Sequence, residues 1–572
     1  MSALPSLAAD FPTPELEAWE ALVLKGLKGA GFEERLVAHT EDGLRIEPLY
    51  TRRDELPEAP PPGQAPWLRG TAMGRTAWDI RARCALADPV AANRAILADL
   101  AGGAGSVVLA ARGRNSADLR QMLDGVLPEL APVHLERDPG DQLDLPAGVL
   151  VELDPLEPWA RGDAADPDET ARHIVAAGLA GRDDVRFALG GPIFDDAGAS
   201  DAEEIGLTIA LAVDLTRRLE EVQEPGRVLE RAILRVTTSA DFFGGIAKLR
   251  ALRRLWGRVA EILELPALRP TVHATSSARM LTRYDRWTNL LRNTIAAAAA
   301  GLGGADAVTV LPHDHACTEP DPFAARMARN IQNVLLEESR LGLVADPAGG
   351  SWHVEQLSEQ LAEAGWAVLQ RVEAAGGMAA ACRAGLVEDL LAERRASRRT
   401  RVATRRRPIL GVSLYPDAGE REVPPKRDQQ PGRRLPRIRD AQELEDLRDR
   451  VLQAGLAPVP VLTLGPAARH TGRLGFAQGL LAAAGLEAAV IDRPDAVPPE
   501  ARLVLIAGDD ADYAEGGVAA VRRLRETGIN DVHLMGQPRD VAPALAEAGV
   551  GRFVRQGDDL MAYLEDVVEQ LR

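Results

Sequence analysis

Cysteine is scarce in this sequence, and so are the patterns that would place it outside a reducing compartment. Cys84, Cys317 and Cys382 are odd in number, far apart and unlike any zinc spacing. That excludes a disulfide framework and a structural zinc site, and leaves three reduced thiols acting as buried filler. The opening MSALPSLAADFPTPELEAWE has no basic stretch leading into an apolar core, so it does not read as a signal peptide. It is not the Arg-rich, acid-poor kind of organelle transit peptide either. No apolar run approaches the ~18 residues at which a membrane span becomes credible; TIAAAAAGLGG reads only as the small-residue end of a helix. Positive charge is also in deficit: 67 Lys and Arg against 85 Asp and Glu give −18. This argues against general nucleic-acid binding and predicts a cytoplasmic protein whose partners are neither nucleic acid nor membrane.

What is present is enough for more than one core. A chain of 572 residues with 46% hydrophobic and 27% charged residues is globular and divides into at least two domains. Near the start, Thr13 suits a helix cap, Pro14 suits the first helical position, and Leu16, Trp19, Val23 and Leu27 recur at helical spacing. A proline-rich stretch ending in PPPGQAPW then reads as an extended arm, giving a first unit over residues 1–66.

From Trp67 short apolar runs alternate with longer helical patterns. The strand candidates include GSVVLAAR, GVLVELD, DVRFALGG, AILRVTT, PTVHATS, DAVTVLP and LVADP. Helices are predicted in DPVAANRAILADLAG, ASDAEEIGLTIALAVDLTRRLEE, GGIAKLRALRRLWGRVAEIL and DPFAARMARNIQNVLLEES. Repeated βα units over about 300 residues predict an α/β fold, most economically a closed (β/α)8 TIM barrel over residues 67–407. A long open doubly wound sheet is the alternative. Eight arginines between Arg394 and Arg407 read as a solvated basic helix or a docking surface for an acidic neighbour rather than a nucleic-acid patch. Residues 408–440, rich in proline and charge, have the composition of a linker.

A second α/β pattern fills residues 441–572. PVPVLTLG, EAAVID, RLVLIAG, DVHLMG and GRFVRQG read as strands, with helices beginning near His470, Ala511, Val541 and Asp558. Five βα units predict a flavodoxin-like, Rossmann-type domain, whose ligands sit at the carboxyl ends of the strands. His470, within PAARHTGRLGFAQG, falls after the first of these strands.

Several long motifs are similar to those of one family. DFFGGIAKLRALRRLWGRV, RWTNLLRNTIAAAAAGLGGADAVTVLPHD, FAARMARNIQNVLLEES and VADPAGGSWHVEQL closely resemble the barrel of the adenosylcobalamin-dependent methylmalonyl-CoA mutases. WEALVLKGLKG and DGLRIEPLY resemble their amino-terminal arm, so the resemblance covers nearly the whole chain. It implies radical isomerisation of an acyl-CoA, interconverting succinyl-CoA and methylmalonyl-CoA, with the cofactor supplying the reactivity.

The family's functional positions are altered here. Cobalamin-binding members carry Asp-x-His-x-x-Gly after the first strand of the second domain. The histidine ligates cobalt, the aspartate orients the ring, and the glycine lets the cofactor approach. Here His470 keeps the histidine, Ala468 replaces the aspartate and Arg473 replaces the glycine; a family lysine falls near Leu464. Asp509 and Asp510 stand where a Ser-x-Leu turn is expected, and Gly536 is what remains of a glycine pair. In the barrel, Arg81 is kept, whereas Ala82 and Arg83 replace Gln and Tyr. Pro192 and Ile193 replace a Tyr-His pair and Thr271 an arginine, while His273 matches a family histidine but reads as structural.

The pattern resembles the small, non-catalytic subunits of heterodimeric family members. It implies no catalytic residue in this chain, no metal unless His470 binds cobalamin, and adenosylcobalamin held by a catalytic large subunit. The competing readings are a self-sufficient cobalamin mutase with another substrate and a chaperone-like binding module.

Overall fold

A computed structural model describes residues 15–74, 77–138, 145, 147–317, 321–425 and 432–572. Two parallel sheets organise it. The first is a closed barrel of eight strands: β1 (Asp79–Cys84), β2 (Ser106–Ala110), β3 (Val133–Glu136), β4 (Val149–Leu153), β5 (Val185–Gly190), β6 (Ala232–Thr238), β7 (Thr271–Ser276) and β8 (Ala307–Thr309), with β8 paired to both β7 and β1. The second is a five-stranded sheet of β9 (Val459–Thr463), β10 (Ala488–Ile491), β11 (Leu503–Ala507), β12 (Asp531–Met535) and β13 (Arg552–Val554), in the order β10-β9-β11-β12-β13. The expected TIM barrel and flavodoxin-like domain are therefore both present, and the open-sheet alternative is not.

Alternation along each strand sorts the barrel's side chains. Val107, Leu109, Val133 and Leu135 turn outward and pack on Ile96, Leu119 and Met122 of the surrounding helices. Their neighbours His134 and Glu136 turn inward. That is why VHLE does not stand out as a strand in the sequence: its lumen face is polar and only two apolar residues remain. LVADP, predicted to be a strand, is not one. It runs from a 3-10 turn, Leu341–Leu343, into a loop where Asp346 adopts a φ of +46° and ion-pairs with Arg69 at 2.7 Å and with Arg250.

The long family-like motifs serve as scaffold. Helix Asp201–Leu219 opens on a capping box between Ser200 and Glu203 and is buried along most of its length. A Cβ on its Gly206 would meet the Gly365 carbonyl oxygen at 2.5 Å, so the glycine allows close crossing with helix Trp352–Ala374. Lys248, in helix Phe242–Ile262, is buried and joins Asp201 at 2.8 Å and Glu204 beneath it. Helix Thr288–Leu302 lays its alanine face against the same bundle, with Ala299 in contact range of Gly245.

The first helix, Leu16–Leu27, follows the predicted apolar stripe, although none of its residues is fully buried; the proposed cap residues Thr13 and Pro14 lie outside the described residues.

The basic segment is an internal clasp. In helix Leu386–Ala403, Arg398 is 2% exposed, donates to the carbonyls of Gly198 and Ala199 at 2.9 and 3.1 Å, and pairs with Glu41 at 2.7 Å. Arg394 pairs with Glu203 at 2.9 Å, Arg399 with Glu443 at 2.7 Å, and Arg407 with Asp440 at 3.3 Å. The acidic neighbour is thus supplied by this chain, and a wholly solvated helix is not what forms.

Residues 432–440 cross the carboxyl-end mouth of the barrel. Arg433 meets Glu157 at 3.3 Å, and the amides of Leu435, Ile438 and Asp440 donate to the carbonyls of Ala160, Asp196 and Arg279 at 3.1, 2.8 and 3.0 Å. The strap therefore ties the loops after β4, β5 and β7. Beyond it, Glu445 of helix Gln442–Ala454 is fully buried against Arg283, at 3.4 Å, and Arg439, at 2.6 Å. Among the described residues no helix is long and apolar enough to cross a membrane.

Candidate functional site

In a sheet of this order the ligand crevice opens at the carboxyl ends of β9 and β11, where the connections diverge to opposite faces. Here an arginine lies across it. Arg473 sits in the second turn of helix Ala467–Ala483 and reaches over the sheet edge. Its Nη1 donates to the Gly508 carbonyl at 2.7 Å and its Nη2 to Asp510 at 2.5 Å. The guanidinium carbon is 5.0 Å from the Tyr513 ring centroid. It also fills the space above Gly536, after β12, where a Cβ would come within 2.7 Å of it. The arginine thus spans the ends of three strands.

Asp509 and Asp510 do different work. Asp509 caps the turn Asp510–Asp512 in a reciprocal capping box with Asp512. Asp510 is the counter-ion of Arg473. Asp512 is buried and pairs with Arg469 at 2.5 Å. Tyr513, also buried, accepts from the Gly508 amide at 2.9 Å and donates to the Met535 carbonyl at 2.7 Å. Sequence reasoning missed Arg469, Asp512 and Tyr513. The available signal was a cation after β9 matched by a run of acids after β11.

His470 lies on the first turn of the same helix. Its Nδ1 faces the Gly465 carbonyl at 3.1 Å and the Leu464 carbonyl at 3.3 Å. A carbonyl only accepts, so Nδ1 carries a proton and donates. Backbone oxygens thus hold the ring, and Ala468, which is exposed, offers it no carboxylate.

The barrel mouth holds a second cluster. Arg83, at the end of β1, pairs with Glu136 of β3 at 2.7 Å, and Arg235 of β6 reaches the same carboxylate at 3.2 Å. None of these strands is adjacent to another, so the contacts cross the lumen. Burial pushes the Glu136 carboxyl upward, but Arg83, Arg235 and Arg112 outweigh it and bring it down to about 2. Arg81 bonds Ser106 at 2.8 Å and Asp79 at 3.1 Å, and Ala82, beside it, carries no polar side chain.

His273 points into the lumen and touches Thr309 at 2.8 Å. The Thr309 hydroxyl gives its single proton to the Arg81 carbonyl at 2.9 Å, so His273 donates through Nε2. Among the described residues its Nδ1 has no partner, and burial holds the ring neutral.

Pro192 and Ile193 begin the short helix Pro192–Asp196 after β5, and Ile193 is buried among apolar neighbours. Neither offers a side-chain hydrogen bond. Thr271 is the exposed first residue of β7, at the amino end of its strand, and so sits on the barrel face opposite Arg83, Pro192 and Ile193. The structure gathers Arg81, Arg83 and His273 around the lumen and leaves Thr271 outside that group.

Comparisons with known proteins agree with this architecture. A family model described as methylmalonyl-CoA mutase matches residues 187–456. The chain is 39% identical to the methylmalonyl-CoA mutase small subunit of Streptomyces virginiae, covering 99% of this chain and 98% of that one. It is 32% identical to the small subunit of Propionibacterium freudenreichii subsp. shermanii, over 95% and 92% of the two chains. A probable mitochondrial methylmalonyl-CoA mutase of Caenorhabditis elegans is 28% identical over 72% of this chain and 63% of its own. With barrel, strap and second sheet all spanned by such relatives, the chain belongs to the methylmalonyl-CoA mutase family.

Proposed function

We propose that this chain is the non-catalytic small subunit of a heterodimeric, adenosylcobalamin-dependent methylmalonyl-CoA mutase. It pairs with and stabilises a cytoplasmic large subunit that binds the cofactor and interconverts succinyl-CoA and methylmalonyl-CoA. The observation that carries this reading is Arg473 bonded across the crevice to Gly508 and Asp510. Residues 441–572 are a cobalamin-binding-like domain in which an internal ion pair takes the cofactor's place. The residues present do not fit a corrin with its nucleotide tail. Displacing Arg473 would uncover Tyr513, and the acids after β11, Asp510 among them, would face the tail's phosphodiester.

The barrel supports the same reading, since Pro192 and Ile193 provide no proton donor or acceptor and the mouth is bridged by Arg83, Glu136 and Arg235. Pairing is supported by relatives named as small subunits and by apolar side chains left in solvent. Leu22 is 70% exposed, Trp287 55% and Leu291 62%.

One observation favours the alternative of a self-sufficient enzyme. Among the described residues the Nε2 of His470 has no partner, and its ring is oriented by carbonyls, as a metal ligand requires. Purifying the chain alone and with a large subunit separates the readings. The proposal expects cobalamin absorbance and isomerase activity only in the pair. Cobalamin retained stoichiometrically by this chain alone, with turnover, would overturn it.

A further inference from the structure

Between helix Leu386–Ala403, helix Gln442–Ala454 and the two sheet-covering helices Ala467–Ala483 and Leu560–Leu571 lies a cavity of about 290 Å³. That is close to the lower end of ligand-pocket volumes. It lies at the joint between the two domains, on the helical face of the second sheet. Its apolar wall includes Val402, Leu444, Leu480, Leu560, Met561 and Leu564.

The charged wall is unbalanced, with five arginines against two carboxylates, Asp440 and Glu443. Both carboxylates are already engaged, Asp440 by Arg407 at 3.3 Å and Glu443 by Arg399 at 2.7 Å. Of the arginines, Arg398 and Arg439 pair with Glu41 and Glu445 outside the cavity. Arg395 makes a good 2.7 Å bond to the Ala197 carbonyl.

Arg405 is left. Its bond to the Gly479 carbonyl is long, at 3.3 Å, and it lies 5.6 Å from the Phe476 ring centroid. Among the described residues no carboxylate comes within ion-pair distance of it. Burial lowers its hold on the proton, with nothing to offset that. Its backbone also occupies a left-handed conformation, φ +54°, just past the end of helix Leu386–Ala403. Glycine or asparagine is the low-cost residue there. A half-buried cation without a counter-ion is unfavourable, and so is a β-carbon at that φ. Both costs fall on a residue that faces an apolar cavity.

We infer that this interdomain cavity binds a single-chain carboxylate of medium length, its head on the Arg405 guanidinium and its alkyl body along Leu480, Leu560 and Leu564. Such a ligand supplies the absent counter-charge and covers apolar wall in one step. It bridges elements of both domains and so stabilises their joint. The inference stands apart from the reading of this chain as a silent subunit, because it uses none of the crevice or lumen residues.

The experiment titrates octanoate into the full-length chain by calorimetry, alongside octanol, which lacks the charge, and inorganic phosphate, which lacks the tail. The expected result is saturable one-to-one binding of octanoate with a raised thermal midpoint, and at least about tenfold weaker binding of each control. Arg405→Gln should weaken octanoate about tenfold, while Arg395→Gln has less effect. Should Arg405→Gln fold poorly, Ala483→Leu fills the cavity without touching a charge and should also abolish binding. Octanol binding as tightly as octanoate, phosphate alone giving the same shift, or both cavity variants binding like the original chain would each refute the inference.

Discussion

Arg473 and Asp510 form an ion pair at 2.5 Å across the carboxyl edge of the second sheet, from the helix after β9 to the turn after β11. Each residue depends on the other for its charge partner. An arginine placed after β9 without Asp510 would have only carbonyl and ring partners, and Asp510 without it would be one more acid in an already acidic turn. Arg473→Gly is expected to cost about 1 kcal/mol in denaturant unfolding, since the pair is partly exposed. It should not make the chain bind cobalamin, because Asp510 would then face the site. The combined variant Ala468→Asp, Arg473→Gly, Asp510→Ser restores carboxylate, space and neutrality together. Gel filtration after mixing with hydroxocobalamin should leave colour on this variant and none on the other two proteins. Colour on the unmodified chain would show that the arginine does not block the crevice.

Glu136 is the hub of the barrel mouth. It is 4% exposed and holds Arg83 and Arg235 from opposite sides of the lumen. Its carboxyl sits at about 2 against an ordinary 4.5. A depressed carboxyl contributes stability above its unfolded value, and that contribution is lost as pH falls through the folded one. Glu136→Gln is therefore expected to be less stable by about 3 kcal/mol at neutral pH. The gap should close between roughly pH 4.5 and pH 2. Urea unfolding of both proteins across that window checks it, and a constant difference from pH 7 to pH 2 would show that the charge is not responsible.

The domain plan was legible because each sheet advertises itself through outward apolar faces and regular helix spacing, as in SVVLA and LVLIA. The miss at VHLE has the opposite cause. A strand whose lumen face carries a histidine and a glutamate loses the alternation that marks it, and only the barrel's closure reveals it. Position-by-position reading of the crevice found Ala468 and Arg473 but not what Arg473 bonds. That depends on β11 lying beside β9, forty residues away in sequence. Thr271 shows the converse limit: a motif places a residue in a strand, but only the strand's direction tells which end of the barrel it occupies. The strap over the mouth was equally hidden, since proline and charge suggest a loose connection until Arg433 and Leu435 are seen bonded to Glu157 and Ala160.

Helix Thr288–Leu302 carries the most specific expectation about pairing. Its inward side holds Asn289, Arg292 and Asn293, all buried and bonded to the loops after β7 and β8 and to the segment that follows the barrel. Its outward side presents Trp287, Leu291 and Ile295 at i, i+4 and i+8, which are 55%, 62% and 37% exposed. An apolar stripe on an otherwise well-anchored helix costs solubility unless something covers it. Leu291→Asp changes only the outward side, so the thermal midpoint of the isolated chain should stay within a degree or two, consistent with the small effects of surface substitutions. In the proposed heterodimer the same change buries an unpaired carboxylate in the contact, which should weaken pairing by about tenfold or more. Pull-down of a tagged large subunit, with a second variant at the remote exposed residue Leu130 as control, reads the two effects separately. Unchanged pairing in Leu291→Asp would remove this helix from the interface and make the exposed side of Leu16–Leu27, with Leu22 and Leu24, the next surface to test.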